Sequence, residues 1–149
     1  VTPPPDLATL RLLRTARDTI DRRFADDLTV GELAASVHLS PAHFARLFRA
    51  IYGEAPHQYL MTRRLERAAW LLRSGTGVTD ACTAVGFSSL GSFSSRFREV
   101  YDCSPSAYAR LDHRAVAELP PFIASRLTRP QRHRGESSRN EEASAAGDS

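Results

Sequence analysis

Residues 30–59, VGELAASVHLSPAHFARLFRAIYGEAPHQY, return in altered form as residues 78–108, VTDACTAVGFSSLGSFSSRFREVYDCSPSAY. At an offset of 48, Val30, Val37 and Ser40 match Val78, Val85 and Ser88. After one inserted residue, Phe44, Phe48, Arg49, Tyr52, Pro56 and Tyr59 match Phe93, Phe97, Arg98, Tyr101, Pro105 and Tyr108. Most of what repeats is apolar or aromatic, as expected of two copies of one unit that keep their cores while their surfaces diverge.

The unit can be read from local chemistry. Thr29 with Glu32 forms a capping box that opens a short helix, and Ser40 followed by Pro41 supplies an N-cap hydroxyl and a proline at the first helical position of a second. Leu33, Val37, Leu39, Phe44, Leu47, Phe48 and Ile51 are expected to face inward, with small Ala34 where the two helices approach closely. The second copy offers Ala81, Val85, Phe87, Phe93 and Phe97, with Cys82 at the small position and Gly86 at the turn, where a left-handed residue is required. Two helices across a tight turn form a helix-turn-helix, here twice in tandem. Between the copies, Ala55 to Ser74 reads as one continuous helix, with Pro56 at its start, Gly75 and Gly77 beyond its end, and an apolar stripe through Tyr59, Leu60, Leu65, Ala68, Leu71 and Leu72. Trp70 is expected in the core. About 18 residues at about 1.5 Å each give a connector near 27 Å long. Successive major grooves on one face of DNA lie about 34 Å apart, so a single chain could serve two of them.

Composition narrows the rest. A chain of 149 residues, 42% hydrophobic and 25% charged, fits one domain with a real core and excludes a large multidomain enzyme. Strand signals are absent, while Leu7, Leu10, Leu13, Ile20 and Phe24 recur at helical spacing, so an all-α fold is expected. The folded unit is placed at residues 6–111, after an extension at 1–5. Residues 112–125 are read as an apolar stretch able to dock and 126–149 as a disordered tail. No apolar run approaches the length of a membrane span and no leader pattern opens the chain, so a cytoplasmic protein is expected. Two cysteines, Cys82 and Cys103, supply neither a disulfide framework nor a four-thiolate zinc site, and no metal or cofactor is expected. All 20 basic residues are arginines, planar forks suited to phosphate oxygens and guanine edges.

The stretches Leu39 to Phe48, Arg64 to Leu72, Val85 to Ser89, Phe93 to Phe97 and Ser104 to Tyr108 resemble the AraC/XylS family of bacterial transcription regulators, over about residues 10 to 110. The resemblance implies seven helices in two helix-turn-helix subdomains joined by the long central helix. It also implies a sequence-specific regulator that binds an asymmetric duplex site and associates with the nucleoid when bound. With only a few residues before the first helix, the chain resembles the small stand-alone members of the MarA and SoxS type, and binding to DNA as a monomer is expected. Contact with RNA polymerase is implied for members that activate.

In the first copy Ala42, Ala45 and Arg46 are the candidate base readers, Arg46 foremost because arginine bonds guanine O6 and N7 together. In the second, Leu90, Gly91, Ser94 and Ser95 stand at the family's contact positions. Ser40, His43, Arg49, Ser88 and Arg98 are the candidates for the DNA backbone. Ser95 replaces a common arginine and Ala109 replaces the arginine that usually follows Tyr108, while Asp102 adds an anion where the first copy has Gly53. The second half is therefore expected to bind through phosphates and shape while the first reads sequence. Arg63, Arg64, Arg67 and Arg73 read more naturally as a structural, ion-paired series than as DNA contacts. Two other classes compete. A repair enzyme with zinc-held cysteines lacks its ligands here, so no enzyme is expected. A protein-interaction adaptor or antagonist with weak or non-specific DNA binding would share the fold, and a pure adaptor would show no salt slope.

Overall fold

The computed structural model describes residues 3–111 and 113, and the expectations for 112, 114–125 and the tail lie outside the described residues. Among the described residues there are seven helices and no strand: α1 (Leu7–Arg23), α2 (Val30–Ser36), α3 (Pro41–Tyr52), α4 (Pro56–Arg73), α5 (Val78–Ala84), α6 (Leu90–Tyr101) and α7 (Pro105–Ala109). The expected caps form. Thr29 Oγ1 accepts from the Glu32 N–H at 3.1 Å while Glu32 Oε2 accepts from the Thr29 N–H at 2.9 Å. Ser40 Oγ accepts from the His43 N–H, and Pro41 fills the first position of α3.

Each half has its own apolar cluster. Leu13, Ala16 and Ile20 of α1 pack with Leu33, Ala34, Val37, Phe44, Phe48 and Leu60. Leu65, Ala68, Ala69 and Leu72 of α4 pack with Ala81, Cys82, Val85, Phe93, Phe97 and Tyr108. The repeat extends to the rings. Phe48 meets Phe44, Tyr52 and Tyr59 at 5.6, 4.7 and 5.6 Å between centroids, and Phe97 meets Phe93, Tyr101 and Tyr108 at 5.7, 4.5 and 5.2 Å. Pairs at such separations add stabilisation beyond buried area.

What ties the halves together is the short loop after α1. Phe24, the C-cap of α1, packs against both clusters. Arg64, only 7% exposed, donates from Nε to the Phe24 carbonyl at 2.6 Å and from Nη2 to the Asp26 carbonyl at 2.8 Å, so α4 holds the loop by its backbone. Burial lowers the pKa of this guanidinium and the nearby Asp27 carboxylate opposes that effect. Gly86 lies on the other side of the loop, with φ of +89°, and a Cβ there would stand 2.5 Å from the Ala25 carbonyl oxygen. At the end of α1, Asp21 accepts from Tyr59 Oη at 2.8 Å and pairs with Arg63 Nε at 3.0 Å, a second link from α4.

Three expectations are corrected. The residue matching Ser40 is Ser89, whose Oγ accepts from the Ser92 N–H, and Ser88 is the extra residue of the second turn. Trp70 is 47% exposed, because α4 turns Ala68, Ala69 and Leu72 toward the core and leaves the indole outside, under the Arg67 guanidinium at 4.2 Å. Ile51 is 37% exposed, since α3 runs one turn past Phe48, the last residue of that helix to be fully enclosed.

Candidate nucleic-acid interface

The apolar face of α3 is fixed by Phe44 and Phe48, and that of α6 by Phe93 and Phe97, all fully buried. Each anchor pair is four residues apart, so the remaining faces of both helices point outward by geometry. On α3, Ala42, His43, Arg46 and Arg49 are exposed and Ala45 is half-buried. On α6, Leu90, Gly91, Ser95 and Arg98 are exposed and Ser94 is half-buried. Ser40 and Ser88 are exposed in the turns that precede the two helices. Ser40 spends its oxygen on the helix cap, whereas Ser88 caps nothing and stands free of that duty.

The turns are alike in backbone and unlike in residue. His38 and Gly86 both take a left-handed conformation, with φ of 59° and 89°. After them, the Leu39 N–H bonds the Ala34 carbonyl and the Phe87 N–H bonds the Cys82 carbonyl. At the ends of the recognition helices, Gly53 and Asp102 are both left-handed caps, with φ of 77° and 59°. Asp102 thus terminates α6, a role that aspartate tolerates better than most residues, beside the anionic charge it carries.

The central arginines have internal partners. Arg63 pairs with Glu66 at 2.7 Å as well as with Asp21, and Arg73 donates to Tyr108 Oη at 2.7 Å. Among the described residues ion pairing, as the sequence reading has it, appears at Arg63, whereas Arg64 lies on carbonyls and Arg67 on Trp70. Cys82 is buried, donates weakly to the Ser89 carbonyl at 3.7 Å, and has its thiol pKa pushed up by burial. Such a thiol is a poor nucleophile and a poor ligand. Among the described residues no group of side chains could hold a metal ion, and no helix is long and apolar enough to cross a membrane.

One feature escapes the sequence reading. A cleft of about 550 Å³ opens between α4, α6 and the loop after α1, lined by His57, Arg64, Ser88, Ser92, Arg96 and Asp27 among others. The signal is present in the repeat: by the offset that matches Phe48 to Phe97, Arg96 falls where the first copy has Leu47.

Comparison with known proteins agrees with this anatomy. A helix-turn-helix domain family model matches residues 33–111. The HTH-type transcriptional regulator YijO of Escherichia coli is 34% identical over 110 residues, covering 73% of this chain and 39% of that protein. The transcriptional regulator LumQ of Photobacterium leiognathi is 33% identical over 90 residues, covering 60% and 36%. The chain spans little more than a third of the length of these curated relatives. Among solved structures, the C-terminal domain of AraT, a response regulator from Geobacillus stearothermophilus, superposes with a TM-score of 0.64 at 30% identity, covering 66% of this chain and 84% of that one. The DNA-binding domain of AdpA, solved in complex with a target DNA, superposes with a TM-score of 0.65 at 31% identity, covering 69% and 93%. With two helix-turn-helix units of the expected build, a family model over more than half its length and these relatives, the chain belongs to the AraC/XylS family of helix-turn-helix DNA-binding proteins.

Proposed function

We propose that this chain regulates transcription by binding an asymmetric site on double-stranded DNA as a monomer, with α3 and α6 in adjacent major grooves. The observation that carries the reading is that one chain holds two recognition helices, differently surfaced, across an 18-residue connector clamped to the rest of the fold. A connector near 27 Å falls short of the groove repeat of about 34 Å, so a bend of the duplex toward the protein accompanies binding. Similarity to the AdpA domain, solved with DNA, supports the duplex as partner.

Within this reading Arg46 contacts guanine, Ala42 and Ala45 meet methyl groups, and Leu90 offers its 46% exposed side chain to a thymine methyl at the start of α6. Gly91, Ser94 and Ser95 give the second element little discrimination. Ser40, His43, Arg49, Ser88 and Arg98 position the backbone. Activation, where it occurs, engages RNA polymerase on a face away from DNA.

Selection of bound duplexes from a randomised library tests the proposal, with Arg46→Ala alongside. The expected outcome is a two-element motif about one helical turn apart, the first sharper than the second and blurred by Arg46→Ala, with a loss of about 1 to 3 kcal/mol of discrimination at one base pair. No enrichment at moderate salt would overturn the reading and favour the adaptor. Equal sharpness in both elements would overturn the assigned division of labour.

A further inference from the structure

The two halves repeat in sequence but differ in what stands beside each recognition helix. In the first half α1 stands behind α2 and α3, and Leu47 packs as a half-buried leucine on that half's cluster. In the second half α4 takes the place of α1, packs closely on α5 and α7, and meets α6 through the buried Phe93 and Phe97. The position of Leu47 is occupied by Arg96, and the space beside it is the cleft of about 550 Å³. An apolar seam in one copy has become an open polar cleft in the other.

Its lining has the chemistry of an anion site. Arg64 is buried, and its bonds to the Phe24 and Asp26 carbonyls use Nε and Nη2, so that among the described residues Nη1 makes no hydrogen bond. Its two hydrogen-bond partners are carbonyls, which supply dipoles but no net charge, and Asp27 is the carboxylate whose field reaches it. Arg96 adds a second guanidinium, paired at 3.5 Å with Glu99 in an exposed contact of little energetic weight. His57 adds an imidazole, and Ser88 and Ser92 add hydroxyl donors, while Asp27 is the single carboxylate of the lining. Two forks converging with hydroxyls suit a tetrahedral oxyanion.

We infer that this cleft binds a phosphate group, with Arg96 and the free edge of Arg64 as its cationic ligands and Ser88 and Ser92 as hydroxyl donors. The group has two possible sources: a backbone phosphate of the duplex between the two grooves, or a free phosphate or phosphomonoester. The first rests on the two-headed DNA reading above; the second does not. In the first case the second half recovers through the cleft the cation that it lacks at Ser95.

The test compares the 149-residue protein, its Arg96→Leu variant and an Arg14→Ala control on the exposed face of α1. Arg96→Leu copies the residue of the first half and removes no buried group. Affinity for the selected duplex is measured across salt concentrations, and thermal unfolding without DNA is followed in inorganic phosphate against chloride at equal ionic strength. A DNA phosphate predicts a log–log salt slope shallower by about 0.9 in Arg96→Leu and unchanged in Arg14→Ala. A free phosphate predicts unchanged slopes, with stabilisation by phosphate in the native protein and the control that Arg96→Leu loses. Equal slopes together with equal phosphate response in all three proteins would overturn the inference. If the native protein binds no duplex at any salt, the two-headed reading falls by itself, and the unfolding measurement alone decides the free-phosphate form.

Discussion

Replacing Gly86 by alanine sets two energetic terms against each other in a way that Gly53 separates. Both glycines are left-handed, with φ of +89° and +77°, so an alanine at either incurs the conformational cost of that region. That cost is about 1 to 2 kcal/mol, offset by about 0.4 to 1 kcal/mol because alanine restricts the unfolded chain. At Gly53 nothing lies within 4 Å of the new methyl, so Gly53→Ala should lose about 0 to 1.6 kcal/mol. At Gly86 the methyl would meet the Ala25 oxygen, carbonyl carbon and Cα at 2.5, 3.0 and 3.1 Å, all backbone atoms that cannot rotate away. Relief requires moving the loop that Arg64 grips, and overpacking of this kind costs about 1 to 3 kcal/mol more. Gly86→Ala should therefore lose about 1 to 4.6 kcal/mol in all, more than Gly53→Ala by the overpacking cost. Urea unfolding of the native protein and both variants, read by helical circular dichroism, gives the three free energies. A Gly86→Ala loss no larger than that of Gly53→Ala would refute the close contact as the source of the cost.

Three further outcomes are expected. Thr29→Ala, which removes the capping oxygen of α2, should cost about 1 kcal/mol in the same assay. Phe97→Ala, at the centre of four-ring packing, should lose about 3 to 5 kcal/mol, whereas Trp70→Ala should lose under about 1 kcal/mol despite the larger side chain, because the indole is half in solvent. At alkaline pH, burial and the bond to Asp21 push the Tyr59 hydroxyl up to about 12, and burial raises Tyr101 as well. Both raised groups contribute stability that is complete below the unfolded value near 10 and is lost as pH rises through the folded values. Denaturant midpoints should therefore fall from about pH 10 upward, and Tyr59→Phe should flatten part of that fall.

The helices and caps were legible because their signals are local. Thr29 with Glu32 and Ser40 with Pro41 specify their turns within four residues, and the spacing of Phe44 and Phe48 fixes a buried face. Where two adjacent serines could each cap α6, the sequence offers no choice. The left-handed residue at 86 and the bond from Phe87 to Cys82 settle the turn and leave Ser89 to cap. Arg64 looked like one cation in a charged run because its partners are carbonyls 38 and 40 residues away, and a backbone carbonyl has no sequence signature. Trp70 was misplaced for the converse reason: its hydrophobicity is local, but the absence of a neighbour over it belongs to the tertiary arrangement. The outward faces of α3 and α6 followed from periodicity. The cleft did not, since its walls come from α4, α6 and the loop after α1, segments far apart in sequence that only the tertiary arrangement brings together.

Phe24 has a consequence for how the molecule comes apart. Because its ring serves both clusters, opening either half strips apolar contact from the other, and the halves share one cooperative unit although each has the contents of a separate nucleus. Native-state hydrogen exchange should accordingly give the most protected amides of α3 and α6 a common opening free energy. If α3 and α6 each hold half of a site, as proposed, neither can melt while the other stays folded on its half.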